Sequence, residues 1–260
     1  MARLSSGLVL ILAVVASVWL LPSRALLLIA CGVLVLALVE YGRLAGSLGV
    51  RVPLAVSGAG ALAACAALGL GTPLDAPLLA TVVVVGGVVV ASRAPGPGVL
   101  GDVAAALLPS LYLGLPLGSL VALHAGWGRG AVLLLLLNVV LSDTAQYYGG
   151  RMLGRRPLSP LISPKKTMEG AAAGLLVTPP IVMLVGRAWL PSVGAGRLLL
   201  MSLALVGLGI VGDLFESLLK RSAGVKDSSA LIPGHGGVLD RIDSLLFAAP
   251  AFYLFLRYAV

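Results

Sequence analysis

Charge is what this sequence has least of. Of 260 residues, 11% are Asp, Glu, Lys or Arg and 59% are hydrophobic, whereas a soluble globular domain runs near ~25% and ~45–50%. That shortage excludes a soluble globular protein. With a mean hydropathy of +1.09 and apolar runs recurring from residue 7 to the end, most of the surface suits only a lipid bilayer. Cysteine is nearly absent too. Cys31 and Cys65 lie in separate apolar runs without CxxC spacing, which excludes a disulfide framework or zinc knuckle and leaves two small core residues. Histidine is limited to His124 and His235. His124 stands alone near the end of a span and reads as interfacial, so no zinc set exists. No GxxxxGK[ST] occurs, which excludes a P-loop. The GLGIVG at 207–212 lies inside an apolar run with no preceding strand; like GAAAG at 170–174, it reads as helix packing.

What is present is a series of apolar segments, at roughly 7–21, 25–41, 53–70, 76–92, 101–122, 130–150, 168–187, 195–219 and 240–258. About nine helices of ~20 residues use up the chain. The sequence therefore predicts one all-α polytopic membrane domain over 1–260, with 1–125 mainly scaffold and 130–258 carrying the chemistry. The N-terminus and the loops after even-numbered spans hold 13 of the 18 basic residues, against five elsewhere. The positive-inside rule then places the N-terminus and both dense basic loops in the cytoplasm and the C-terminus outside. Arg3 and Ser23-Arg24-Ala25 flank the first span in the manner of a cleavable signal; cleavage would leave the remaining topology unaltered. Asp75 and Asp102 are expected at interfacial loops.

Acids in apolar runs are costly and therefore informative. Asp143, Asp213 and Glu216 fall within or at the ends of spans, and Asp240 and Asp243 open the last one. Asp213 and Glu216 are three apart, as are Asp240 and Asp243, so two helices are expected to aim carboxylate pairs into one water-filled cavity at the cytoplasmic side. Carboxylates in a basic setting suggest Mg²⁺, which takes one or two of them together with substrate phosphates; a second cation is left open.

Two loops supply the basic setting. The run 220–241, KRSAGVKDSSALIPGHGGVLDR, mixes cations, hydroxyls and glycines, which is phosphate-binding chemistry. The run 151–170, RMLGRRPLSPLISPKKTMEG, puts Lys165 and Lys166 just before a span, with Thr167 as its predicted N-cap. Fourteen of the 18 basic residues are Arg, and all four lysines (165, 166, 220, 226) lie in these two loops. A solvated positive-inside cluster explains the charges alone. It does not explain the segregation of lysine. The net charge of +8 is scattered between spans and forms no basic face of the kind a nucleic-acid reader needs, so nucleic acid is excluded as a partner.

From Ser217 onward, SLLKRSAGVKDSSALIPGHGGVLDRID closely resembles the signature of the phosphatidate cytidylyltransferase (CDP-diacylglycerol synthase) family: Ser217, Lys220-Arg221, Lys226-Asp227, Ser229, Pro233, His235-Gly236-Gly237, Asp240-Arg241 and Asp243. Upstream, Asp143-Thr144, Gly150-Arg151, Ser163 to Thr167 and Glu169-Gly170 also look like the family, so the resemblance spans roughly 140–245. Gln146 departs from it, standing where many members carry a small residue.

The resemblance implies an integral membrane enzyme of the bacterial-type cytoplasmic membrane, joining CTP to phosphatidate with loss of pyrophosphate. It implies Asp213 and Asp240, helped by Asp243, as Mg²⁺ ligands. Lys226, Asp227 and His235 are expected to join these acids in catalysis. Lys165, Lys166, Ser217, Lys220, Arg221, Gly236, Gly237, Arg241 and Asp143 are expected to hold substrate, the adjacent glycines presenting bare N–H groups to phosphate. Membrane lipids surround the enzyme, and a homodimer stays open. A CTP-dependent polyprenol kinase would use similar carboxylates and lysines. An anion transporter is the third alternative, though inverted hydropathy repeats are missing.

Overall fold

The computed structural model describes residues 2–229, 231 and 236–259. The helices are α1 (Ala2–Leu20), α2 (Ser23–Ser47), α3 (Leu54–Leu70), α4 (Asp75–Ser92), α5 (Val99–Pro109), α6 (Leu115–Trp127), α7 (Arg129–Leu153), α8 (Met168–Trp189), α9 (Ala195–Ser222) and α10 (Leu239–Tyr258). A π turn at Ser110–Gly114 joins α5 to α6, so Val99–Trp127 runs as one rod. Six helical stretches among the described residues are long and apolar enough to cross a membrane: α2, α4, the α5–α6 rod, α7, α8 and α9. Ile11–Leu20 and Leu54–Leu70 are shorter apolar helices. This is the architecture of an all-α membrane protein with one small addition.

The addition corrects a purely helical expectation. Strands β1 (Pro157–Ser159) and β2 (Ser163–Thr167) form an antiparallel hairpin between α7 and α8, with Pro157 opposite Thr167. Pro157, Pro160 and Pro164 explain it, because each lacks an N–H and disfavours helix at the residue before it. Met168 N–H donates to the Arg156 carbonyl at 2.9 Å, and Glu169 Oε2 accepts from the Arg155 and Arg156 amides at 3.0 and 3.2 Å. Thr167 then caps α8 as its sequence predicts, its Oγ1 accepting from Gly170 N at 3.1 Å.

The chain divides into two compact units, Met1–Ala125 with Leu219–Arg241, and Gly126–Leu218 with Ile242–Val260. In the first, Leu34, Ala37, Ala61, Ala64, Cys65, Leu113 and Leu123 form a buried core. Backbones approach closely there. A Cβ on Gly114 would stand 2.5 Å from the Ala61 carbonyl oxygen, and one on Gly118 2.8 Å from that of Cys65, so these two glycines let the π turn and α6 lie directly on α3. His124 joins α6 to its neighbours, with Nδ1 2.9 Å from Ser23 Oγ and Nε2 3.1 Å from the Val18 carbonyl. Asp102 lies in the first turn of α5, next to the loop that precedes it. It is buried, pairs with Arg93 at 2.5 Å and accepts from Arg51 N at 2.8 Å. That pairing fastens the loops before α3 and α5 to the end of α4.

In the second unit the core is Leu134, Leu135, Val182, Leu198, Ala248 and Phe252. The GAAAG run packs α8 on α7: a Cβ on Gly170 would lie 2.7 Å from the Gln146 carbonyl, and one on Gly174 2.9 Å from Gln146 Cγ. The larger Gln146 is therefore accommodated by glycines opposite. In GLGIVG, Gly212 meets α10, where a Cβ would stand 2.6 Å from the Asp243 carbonyl oxygen, while Gly207 has nothing within 4 Å. Large apolar side chains such as Leu28, Val83, Leu184 and Leu254 are exposed, as lipid-facing positions should be.

These contacts separate two glycines of one motif. Gly212→Ala is expected to destabilise the protein by about 1–3 kcal/mol, since its methyl meets backbone that cannot turn aside. Gly207→Ala should be neutral or slightly stabilising. Thermal unfolding in detergent checks both, and equal effects would contradict the α9–α10 packing.

Candidate active site

In the second unit, α7, β2, α8 and α9 surround a cavity of about 570 Å³. Asp143 and Asp213 line it together with Arg151, Lys165, Lys166 and Thr167, and Gln146, Tyr147, Gly150, Gly170 and Ala171 complete the wall. Each side chain arrives there for a local reason. The hairpin delivers consecutive lysines from an extended strand, so their side chains diverge. Lys166 pairs with Asp213, while Lys165 is exposed. Asp213 comes from α9, and Ser217, one turn on, donates its hydroxyl to Asp213 Oδ1 at 3.3 Å. Arg151 donates to the Tyr147 hydroxyl at 3.2 Å.

Of the expected pair Asp213 and Glu216, one member reaches this cavity. Asp213 lines this cavity, but Glu216 is fully buried and absent from its wall; a three-residue offset leaves the two acids about 60° apart around a helix, enough for one to face the cavity and the other the packing. The second carboxylate of the cavity is Asp143. Asp243 Oδ1 accepts from Ser244 N at 2.7 Å.

The first unit holds a second cluster. Asp240, in the first turn of α10, is enclosed: Oδ1 accepts from the Lys220 ammonium, Oδ2 accepts from Ser228 N at 3.0 Å and Gly237 N at 2.7 Å, and Ser228 Oγ, whose one proton is shared with Glu40, lies 2.9 Å from Oδ2. Gly236 has the positive φ expected of it, +77°. Gly237 gives its N–H to Asp240 Oδ2. Lys226, Asp227 and Arg241 are exposed, and Arg221, also exposed, donates to the Val225 carbonyl at 2.9 Å. Pro233, Gly234 and His235 lie outside the described residues, so the role expected of His235 has no structural counterpart here.

Sequence reasoning missed Glu40. It lies in α2, within the stretch expected to be scaffold, yet it accepts hydrogen bonds from Ser228, Ser229, Val238 and Leu239. The signal was available: Glu40 is the only acid between Met1 and Arg51, and it interrupts an apolar run as Asp143 does.

The donors also test the expected Mg²⁺. Among the described residues no three His, Cys, Asp or Glu side chains gather as ligands, so an all-protein cage is not on offer. Asp143 and Asp213 facing one cavity with room for phosphates fit the sparser arrangement Mg²⁺ favours. Asp240 fits only through Oδ1, in exchange for Lys220, since Oδ2 already takes two backbone amides.

Comparison with known proteins identifies relatives of the chain. The chain is similar to a phosphatidate cytidylyltransferase of Helicobacter pylori (strain J99), at 42% identity over 153 residues, covering 59% of this chain and 57% of that protein. It is also similar to one from Bacillus subtilis (strain 168), at 48% identity over 118 residues, covering 44% and 43%. A third relative is phosphatidate cytidylyltransferase 5, chloroplastic, of Arabidopsis thaliana, at 44% identity over 138 residues, covering 52% and 34%. The chain spans about half the length of the first two of these relatives, 57% and 43%. The profile of the Cytidylyltransferase family matches residues 1–259, and the chain belongs to that family.

Proposed function

We propose that this protein transfers the cytidylyl group of CTP to phosphatidate, giving CDP-diacylglycerol and pyrophosphate. The observation that carries the reading is the cavity in which Asp143 and Asp213 meet Lys165, Lys166 and Arg151. A lipid phosphate oxygen must attack the α-phosphorus of a nucleotide, forming one P–O bond while the bond to the bridging oxygen breaks and pyrophosphate leaves. Both reactants are anions. Such a transfer asks the protein for in-line positioning and charge neutralisation more than for covalent chemistry.

On this reading Lys165, Lys166 and Arg151 hold phosphates at the cavity, with Lys166 released from Asp213 as it does so. Lys220, Arg221, Lys226 and Arg241 supply cations along the 220–241 segment, with Ser217 and Gly236 in support. Asp227 and His235 are proposed to serve the transfer from the same segment. Within the second unit Mg²⁺ would be held by Asp213 with Asp143, where it would neutralise charge on the transferring and leaving groups; in the first unit Asp240 is a separate candidate ligand, through Oδ1. Asp243, also expected as a ligand, is proposed in a supporting part only, since its Oδ1 accepts from its own helix.

We further propose nine membrane crossings in the cytoplasmic membrane, with the N-terminus and both basic loops on the cytoplasmic side. The asymmetry of basic residues supports this side. A reporter enzyme active only outside the cytoplasm should work when fused after Val260 and fail when fused after Leu161. Activity at Leu161 would reverse the orientation.

Purified protein given radiolabelled CTP and phosphatidate should form CDP-diacylglycerol with Mg²⁺ and stop when the metal is chelated. Asp213→Asn keeps the shape but loses the charge, and should lower kcat at least about 100-fold, or ~2.7 kcal/mol. Near-normal turnover would remove Asp213 from the site. Neutralising Arg221 and Lys226 together should lower kcat/KM by more than about tenfold. A change within about twofold would reduce both to topology determinants.

A further inference from the structure

Glu40 is 2% exposed and lies in an apolar helix, where a carboxylate is tolerated only against donors that replace its water. Its donors are arranged symmetrically. Oε1 accepts from Ser229 Oγ at 2.6 Å and Val238 N at 2.9 Å, and Oε2 from Ser228 Oγ at 2.9 Å and Leu239 N at 2.8 Å. Each oxygen therefore takes one hydroxyl from before the 230–237 stretch and one amide from after it. A single carboxylate fastens both ends of the glycine-bearing segment, and it sits at the N-terminus of α10, where negative charge is favoured.

The contacts continue toward the site. Ser228, held by Glu40, gives its amide to Asp240 Oδ2 at 3.0 Å and also places its hydroxyl 2.9 Å from that oxygen. Gly237 packs against the same pair: a Cβ there would lie 2.1 Å from Ser228 Oγ and 2.5 Å from Glu40 Oε2. Any side chain there would have to push the Ser228 hydroxyl and the Glu40 carboxylate from their partners. Oδ1 of Asp240 is left to Lys220.

We propose that Glu40 is a positioning residue of the active centre: by clamping Ser228-Ser229 to Val238-Leu239 it sets Asp240 and Lys220 for the transfer. This rests on the functional reading above. Gln at this position keeps the size but turns an NH₂ toward a backbone N–H that cannot rotate away, whichever way the amide is flipped. Glu40→Gln should therefore lower kcat at least about tenfold while changing KM for CTP less than about threefold. Hydrogen exchange at the Val238 and Leu239 amides, read in the full chain in detergent, should speed up at least about tenfold. Ser229→Ala removes one donor without touching Asp240 and should give a milder loss of the same pattern, which keeps the idea testable if Glu40→Gln does not fold. Unchanged kcat per folded molecule in the foldable variant would overturn the proposal, whether or not thermal stability falls. Wild-type protein inactive on CTP and phosphatidate would sink the functional reading instead, and unaltered exchange at the two amides would then still refute the clamp.

Discussion

A carboxylate carried among membrane helices must find donors for the water it gives up, and four acids in this chain show how that demand shapes the protein. Glu40 finds two hydroxyls and two amides. Asp240 finds a lysine and two amides. Asp213 takes Lys166 and Ser217, and Asp102 takes Arg93 and the Arg51 amide. Removing one partner from such a set leaves the other charge stranded in a poor solvent, which costs more than the pair itself contributes. Segments with little apolar surface, such as 223–229, are held in place by these acids more than by packing.

The glycines follow from the same constraint. Amides can point at a buried carboxylate only if the chain comes close, and close approach excludes a Cβ. Gly237 illustrates this beside Glu40 and Ser228, whereas Gly114, Gly118, Gly170 and Gly212 serve helix against helix. A glycine in a phosphate-handling signature need not touch phosphate. Its task here is to let one acid hold the strand of chain that carries another.

Much of this was legible in the sequence because hydropathy and turn chemistry are local. The nine apolar segments fall within the helices that form, Thr167 caps α8, and Gly236 takes positive φ. Asp143, Lys165, Lys166 and Asp213 line one cavity. The hairpin at 157–167 was hidden, since a basic loop and a short two-stranded turn have the same composition. The facing of Asp213 and Glu216 was misjudged because spacing along one helix says nothing of which side the neighbours take. Glu40 was missed because its partners lie 188 to 199 residues away, beyond the reach of any local pattern.

The distribution of cations takes on physical sense once the acids are placed. Some arginines are tied to the protein itself: Arg93 to Asp102 and Arg257 to the Tyr253 hydroxyl at 2.8 Å. Lysines meet the acids proposed for chemistry, Lys166 at Asp213 and Lys220 at Asp240. An ammonium on a flexible stem can leave a carboxylate for a phosphate with little rearrangement, whereas a guanidinium held in planar pairing resists the exchange. Lysine was therefore retained at the positions where, on the proposed reading, the cation has to change partners as substrate arrives.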